Sequence, residues 1–347
     1  MSTKICVSIL LACAACGTDA ADTAPSTYAF GPFTLAAGQE MTDLCVSATL
    51  HNEAPLYINS IEMAGATGIH HSNWFWVPDS ESFVGPDGSW SCSEHNYDQA
   101  AAALFGGVLF AQSTQATQEE QAFPPGAAIK IPPHSRIVAN LHLLNSTDGD
   151  LGVPISLTLH PIAEADATTV LAGFALENES IALPPQAASS FSVDCDLSPT
   201  WQRLYAGGLV ASDHVDIKIY HALAHYHALG TALAFEAIRD SDGGVDTVWS
   251  TSQRIGDELG GMLDPPFDLT GHSKVRVRCT YDNPGDTTIR WGNGGAEMCI
   301  AFAFTDSTYV WNAGVLTQGD PGPSVMNNGT IDFTTPGCSV VTTDAQH

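Results

Sequence analysis

The sequence predicts an all-β chain, a sandwich or barrel, on three observations. Short runs rich in β-branched and aromatic residues recur along most of its length. Clusters of Gly, Pro, Asn and Asp stand between them, where turns are needed. Only the alanine-rich Gln99–Leu104 reads as helix, and for no more than a turn or two. In chain order the expected strands are LCVSATL, LYINSIEM, AAIKIPP, RIVANLHLL, PISLTLH, VDIKIYHAL, ALAFEAI, KVRVRCTY, TTIRWG and MCIAFAF. No fixed-period repeat or low-complexity segment interrupts them. The small, acidic stretch AEADAT, Ala163 to Thr168, is the expected linker. It divides the chain into residues 24–165 and 166–347, each long enough for a core of its own.

Residues 1–23 are read apart from the fold, as an export signal and tail. Lys4 supplies a positive charge and an apolar run from Ile5 to Ala15 follows, too short to span a bilayer. Cys-Ala-Ala-Cys-Gly has the look of a lipoprotein cleavage box, with Cys16 as the lipidated residue and Cys13 the alternative; ordinary cleavage before Pro25 is the plainer reading. All three place the protein outside the cytoplasm, with any membrane contact made through an N-terminal lipid.

Composition narrows the partners. Asp and Glu number 38 against 11 Lys and Arg, a net charge of −27. Electrostatics of that sign exclude nucleic acid. Beyond the leader six cysteines remain: Cys45, Cys92, Cys195, Cys279, Cys299 and Cys338. No Cys-x-x-Cys pair is among them, so three disulfides are expected in place of a thiolate site, with the pairing open.

The chemistry-bearing residues are histidines. In YHALAHYHALG, His225 and His227 are one residue apart, and on a strand both would point to the same face. His70 and His71 are adjacent, so a shared ion requires a bulge or a ring that reaches round. His142 lies in a convincing strand. Met298 follows the Gly-rich WGNGG. Each alone is more ordinary: a core histidine, a methionine filling space. Together, imidazoles with a thioether suit copper, because sulfur favours Cu(I) while imidazole accepts both oxidation states. His221, four before His225, is the next candidate to support a ligand. Trp74 and Trp76 are read as core.

This order of motifs, HH, a strand-borne His, HxH and EMC, resembles the copper type II, ascorbate-dependent monooxygenases, the family of peptidylglycine α-hydroxylating and dopamine β-monooxygenases. The resemblance runs from LCVSATL to the final cysteine. It is most specific in HYHALG and in RVRCTYDN with EMC. It implies two consecutive β-sandwich domains of jelly-roll type, each carrying one of two copper ions. His70, His71 and His142 would hold the electron-storing copper; His225, His227 and Met298 would hold the catalytic one. It also implies the pairs Cys45–Cys92, Cys279–Cys299 and Cys195–Cys338. The activity implied is hydroxylation of a substrate C–H bond by O2, with the second electron from the histidine-only copper and ascorbate or a similar reductant resetting both. A monomer is expected.

The departures bear on substrate. Ala296 stands where the family usually has an acidic residue. Leu223, Ile300 and Phe302 stand where the peptide-processing members have arginine, asparagine and tyrosine. Some first-domain cysteines of the animal enzymes have no counterpart. An apolar trio cannot pair with a carboxylate, so a small neutral or weakly polar substrate held by packing alone is expected, the alternative being that Arg203, Arg290 or another basic residue folds into the pocket from a loop. The alternative in another class is an extracytoplasmic copper-binding or trafficking lipoprotein without hydroxylase activity.

Overall fold

A computed structural model describes residues 23–292 and 295–345. Cys13, Cys16 and the rest of residues 1–22 of the expected leader lie outside them. The fold is all-β, with sheets packed face to face. In the first half Ser26–Leu35, Leu151–Ile162, Leu56–Gly65, Ala127–Ile131 and Thr169–Val170 line up in one sheet, with Gln118–Ala122 also on Leu56–Gly65. Facing it are Gly88–Trp90, Glu40–Thr49, Ser135–Leu144, Ile69–Pro78 and Gly107–Ala111, in that order. Alternation explains the core between them: Trp74, Ile137 and Leu141 point inward to meet Ile58, Ile61 and Leu157.

The second half repeats the plan. One sheet runs Gly260–Asp268, Lys218–His225, Ile300–Thr305, Ala172–Asn178, Tyr309–Val315, Ser339–Asp344. The other runs Val245–Thr251, Gly230–Ile238, Lys274–Asn283, Ala187–Asp196, Thr330–Thr335, Ser324–Asn327. Ala222, Ala301, Ala303 and Trp311 of the first meet Phe191, Phe235 and Val277 of the second. The opposite face of Ile300–Thr305 carries Ile300, Phe302 and Phe304, and Phe304 is buried in the core of the first half. That face is where the halves meet.

Several elements differ from expectation. AEADAT contains a short 3-10 turn at Glu164–Asp166. The chain leaves the first half's sheet only after Thr169–Val170, which pairs in parallel with Ala127 and Ala128. TTIRWG shrinks to Ile289–Arg290. The helix Gln99–Phe105 starts on Asp98, whose side chain accepts from the Ala101 N–H at 2.8 Å. A second helix, Ser198–Ala206, was not expected, although Ser-Pro opens it, Trp201 and Leu204 share a buried face, and two glycines follow. Trp74 and Trp76 are buried, as expected.

Among the described residues three disulfides form, Cys45–Cys92, Cys195–Cys338 and Cys279–Cys299. They mark a chain that folds in an oxidising, extracytoplasmic environment. Among the described residues no helix is long and apolar enough to cross a membrane.

Candidate metal centre

Strand pairing builds the first group of imidazoles. His71 on Ile69–Pro78 lies directly opposite His142 on Ser135–Leu144, and the register shifts between Ile69 and His71. That irregularity is the bulge that adjacent ligands require. It brings the His70 ring, otherwise on the core-facing side, to 4.5 Å from His142 and 5.1 Å from His71, centroid to centroid. His70 Nδ1 and His71 Nδ1 face each other at 3.0 Å. Two acceptor lone pairs cannot sit so close without a proton or a cation between them. His142 Nε2 donates to the Glu40 carboxylate at 2.7 Å, which fixes its tautomer and leaves Nδ1 as the lone pair. Glu40 was not foreseen. It is 102 residues from His142, and only the pairing of Glu40–Thr49 with Ser135–Leu144 brings it there.

The second group sits where Lys218–His225 ends. Alternation continues two residues further, so Tyr226 is buried in the core while His225 and His227 share the other side, ring centroids 5.4 Å apart. Gly230, the last residue of HYHALG, is required by this turn: a Cβ there would lie 2.2 Å from the Tyr226 ring. The His227 Nδ1–H donates to the Ala296 carbonyl at 2.8 Å, a backbone contact that needs no acidic side chain at position 296. The Glu297 carboxylate accepts from His227 N–H and Leu229 N–H at 2.8 and 2.7 Å, tying the histidine turn to the segment that carries Met298. Burial raises the Glu297 carboxyl to about 7 despite these bonds. His227 Nε2 is then a buried acceptor with no hydrogen-bond partner among the described residues. Such an atom costs free energy unless something binds it.

The two groups are not separate. His70, His71 and His142 could hold an ion, and so could His71, His225 and His227, with His71 common to both. The His71 ring is 4.9 Å from His142 and 5.2 Å from His225; His70 is 5.2 Å from His227. One chamber between the halves therefore holds all five imidazoles, where the sequence suggested one site per half. Burial, and then neighbouring imidazoles, pushes His70 and His225 down to about 3 and His71 well below its ordinary value. Those three are neutral near pH 7, the form that ligates metal.

Met298, Leu223, Ile300 and Phe302 line a cavity of about 410 Å³ together with His71, His142 and His225. Strand register sets its floor: His225 is opposite Ile300, and Leu223 opposite Phe302. The walls are less apolar than the trio suggested, since Glu177, Asn312, Asn73, Gln99 and Asn140 also contribute. Burial raises Glu177 to about 7. Packing alone does not describe this cavity. Its polar residues were missed because each comes from a different strand or helix and belongs to no local motif. His221 supports no ligand: its ring packs against Phe123 and Phe304, at 6.0 and 6.3 Å, and Nδ1 has no partner.

No protein-family model matches the chain, and no curated protein does either. Among solved structures it is similar to the major capsid protein P2 of bacteriophage PM2, at 8% identity and a TM-score of 0.28, over 81% of this chain and 97% of that one. It is likewise similar to PNGase F, a glycosylasparaginase from Flavobacterium meningosepticum, at 8% identity and a TM-score of 0.32, over 91% and 99%. Superpositions this loose carry no argument about function, and the chemistry of the site has to be read from its own residues.

Proposed function

We propose that this protein is a copper-dependent monooxygenase that hydroxylates a C–H bond of a small molecule with O2 and an external, ascorbate-like reductant. The observation that carries the reading is the donor set. Five buried imidazoles gather in two groups that share His71, three of them line one cavity with Met298, and His227 Nε2 offers its lone pair to a ligand. The residues fit two copper ions, one on His70, His71 and His142, the other on His225, His227 and Met298. Bound copper supplies the one-electron and O2 chemistry that no side chain offers.

The chain supplies the rest. Glu40 and the Ala296 carbonyl lock the His142 and His227 tautomers, so that Nδ1 of one and Nε2 of the other stay free to ligate. Leu223, Ile300 and Phe302 hold an apolar substrate body beside Met298 and exclude water from it. Among the described residues no Lys or Arg lines the cavity, so a substrate carboxylate has no partner there and a glycine-extended peptide is disfavoured.

The test is a copper titration with an oxygen electrode. Two ions per chain and ascorbate-driven O2 consumption are expected, and His142→Ala should remove one ion and leave the other. Two coppers with no O2 consumption on any small apolar substrate would favour a copper-binding or trafficking protein. A single ion, or zinc retained against excess copper, would overturn the monooxygenase reading.

A further inference from the structure

Between the two halves runs a short segment that the metal-centre description does not use. Gln112, Ser113 and Thr114 are polar, consecutive and fully buried. Burial of that kind needs every group partnered, and the partners lie on both sides. Toward the first half, Gln112 N–H donates to the Ser72 carbonyl at 3.0 Å and Gln115 N–H to the His70 carbonyl at 2.6 Å. Ser113 donates from N–H and Oγ to the buried Glu119 carboxylate at 2.7 and 2.6 Å. Toward the second half, the Leu259 N–H donates to Ser113 Oγ at 2.8 Å, and the Gly256 N–H to the Thr114 carbonyl at 2.8 Å.

Thr114 makes the closest link to the site. Its hydroxyl donates to the Tyr226 carbonyl at 2.8 Å, between His225 and His227 in sequence. With its proton committed there, Thr114 Oγ1 can only accept from His225 Nδ1, a long contact of 3.5 Å. The Gln112 backbone meets the same ring. The Thr114 contact places the His225 proton on Nδ1 and leaves Nε2 for a ligand. The segment thus touches the backbone of His70 at one end and His225 and Tyr226 at the other, and Gln115 turns through φ of +62° to do so.

We infer that Gln112–Ala116 is a spacer that sets the separation of the two imidazole groups, with Ser113 and Thr114 as its positioning residues. The inference rests on the copper reading above. It adds that the single chamber is held by this strap, beyond what sheet packing alone would hold. Thr114→Val keeps the shape and removes both hydroxyl contacts; Thr114→Ser restores the hydroxyl. Ser113→Ala breaks the Leu259 link, and with it the hydroxyl bond to Glu119, without touching Thr114.

The probe is Cu(II) alone, added to the full chain, with bound copper counted and the half-field EPR transition of a coupled Cu(II) pair recorded. The parent should bind two ions and show the transition. Thr114→Val should still bind two and lose most of the half-field intensity, Thr114→Ser should recover it, and Ser113→Ala should weaken it. Undiminished intensity in Thr114→Val and Ser113→Ala overturns the spacer, as does loss in Thr114→Ser equal to that in Thr114→Val. Loss of copper itself from Thr114→Val also counts against it, since each imidazole group should form without the strap. A parent that binds fewer than two ions removes the copper reading instead, so the two failures are distinguishable.

Discussion

Replacing His221 by leucine isolates one buried ionisation from the metal chemistry. The ring is 3% exposed, packed against two phenylalanines, and burial alone lowers its pKa from 6.5 to about 3. Below pH 6.5 the unfolded chain therefore binds a proton at His221 that the folded chain refuses. With a depressed folded value, the stability this confers is complete above 6.5 and is lost as pH falls toward 3. Between neutrality and a pH of about 4.5 the loss spans two pH units, or ~2.7 kcal/mol. The folded value lies well under 4.5, so this figure depends almost wholly on the unfolded one. His221→Leu cannot titrate, and its stability should fall by that much less over the same interval. At neutral pH it should match or exceed the parent, because the unpartnered Nδ1 is gone. The assay is urea unfolding of metal-free protein, disulfides intact, at the two pH values for both proteins, with m-values compared. Equal losses in parent and variant would refute the reasoning, because they would mean the ring reaches water or a proton donor in the folded state.

Three further outcomes follow from the site. Glu297→Gln keeps one acceptor oxygen but turns an amide toward a buried N–H, so it should cost about 1–3 kcal/mol in urea unfolding. It should also weaken copper at the His227 group about 10–100-fold by competition titration; an unchanged affinity would make Glu297 purely structural. Met298→His should still bind Cu(II) but lose most ascorbate-driven O2 uptake, and parental uptake would reduce Met298 to a packing residue. Replacing Cys279 and Cys299 together by alanine opens a loop of 20 residues. Unfolding should then be easier by about 3 kcal/mol, and copper at the Met298 group should be held less tightly; a loss of stability without a loss of affinity would separate the bridge from the site.

How much of this was legible in the sequence depends on how far apart the contributing residues lie. Backbone sterics act on neighbours, so alternation placed His225 and His227 on one side, and the adjacency of His70 and His71 demanded a bulge, before any strand was paired. Local composition likewise marked the all-β class and the buried tryptophans. It passed over Ser198–Ala206, whose tertiary packing of Trp201 and Leu204 completes a weak local signal. The cysteine count set the number of bridges, although their pairing came only from family resemblance until the sheets were formed.

The tertiary structure alone decided everything that depends on register and on the meeting of the halves. Glu40 reaches His142, and Ser113 and Thr114 reach Leu259 and Tyr226, across separations of more than a hundred residues. The convergence of all five imidazoles in one chamber has the same origin, as do the polar walls added by Glu177 and Asn312. Such contacts are side effects of burying apolar faces: sheets pack to remove Trp74, Phe304 and Trp311 from water, and the polar groups arrive wherever that packing leaves them. Hydrophobic burial is non-directional and carries no local signature of which distant residues it will juxtapose. The sequence therefore determined which side chains could ligate a metal, and the packing of the two halves determined that they face one another.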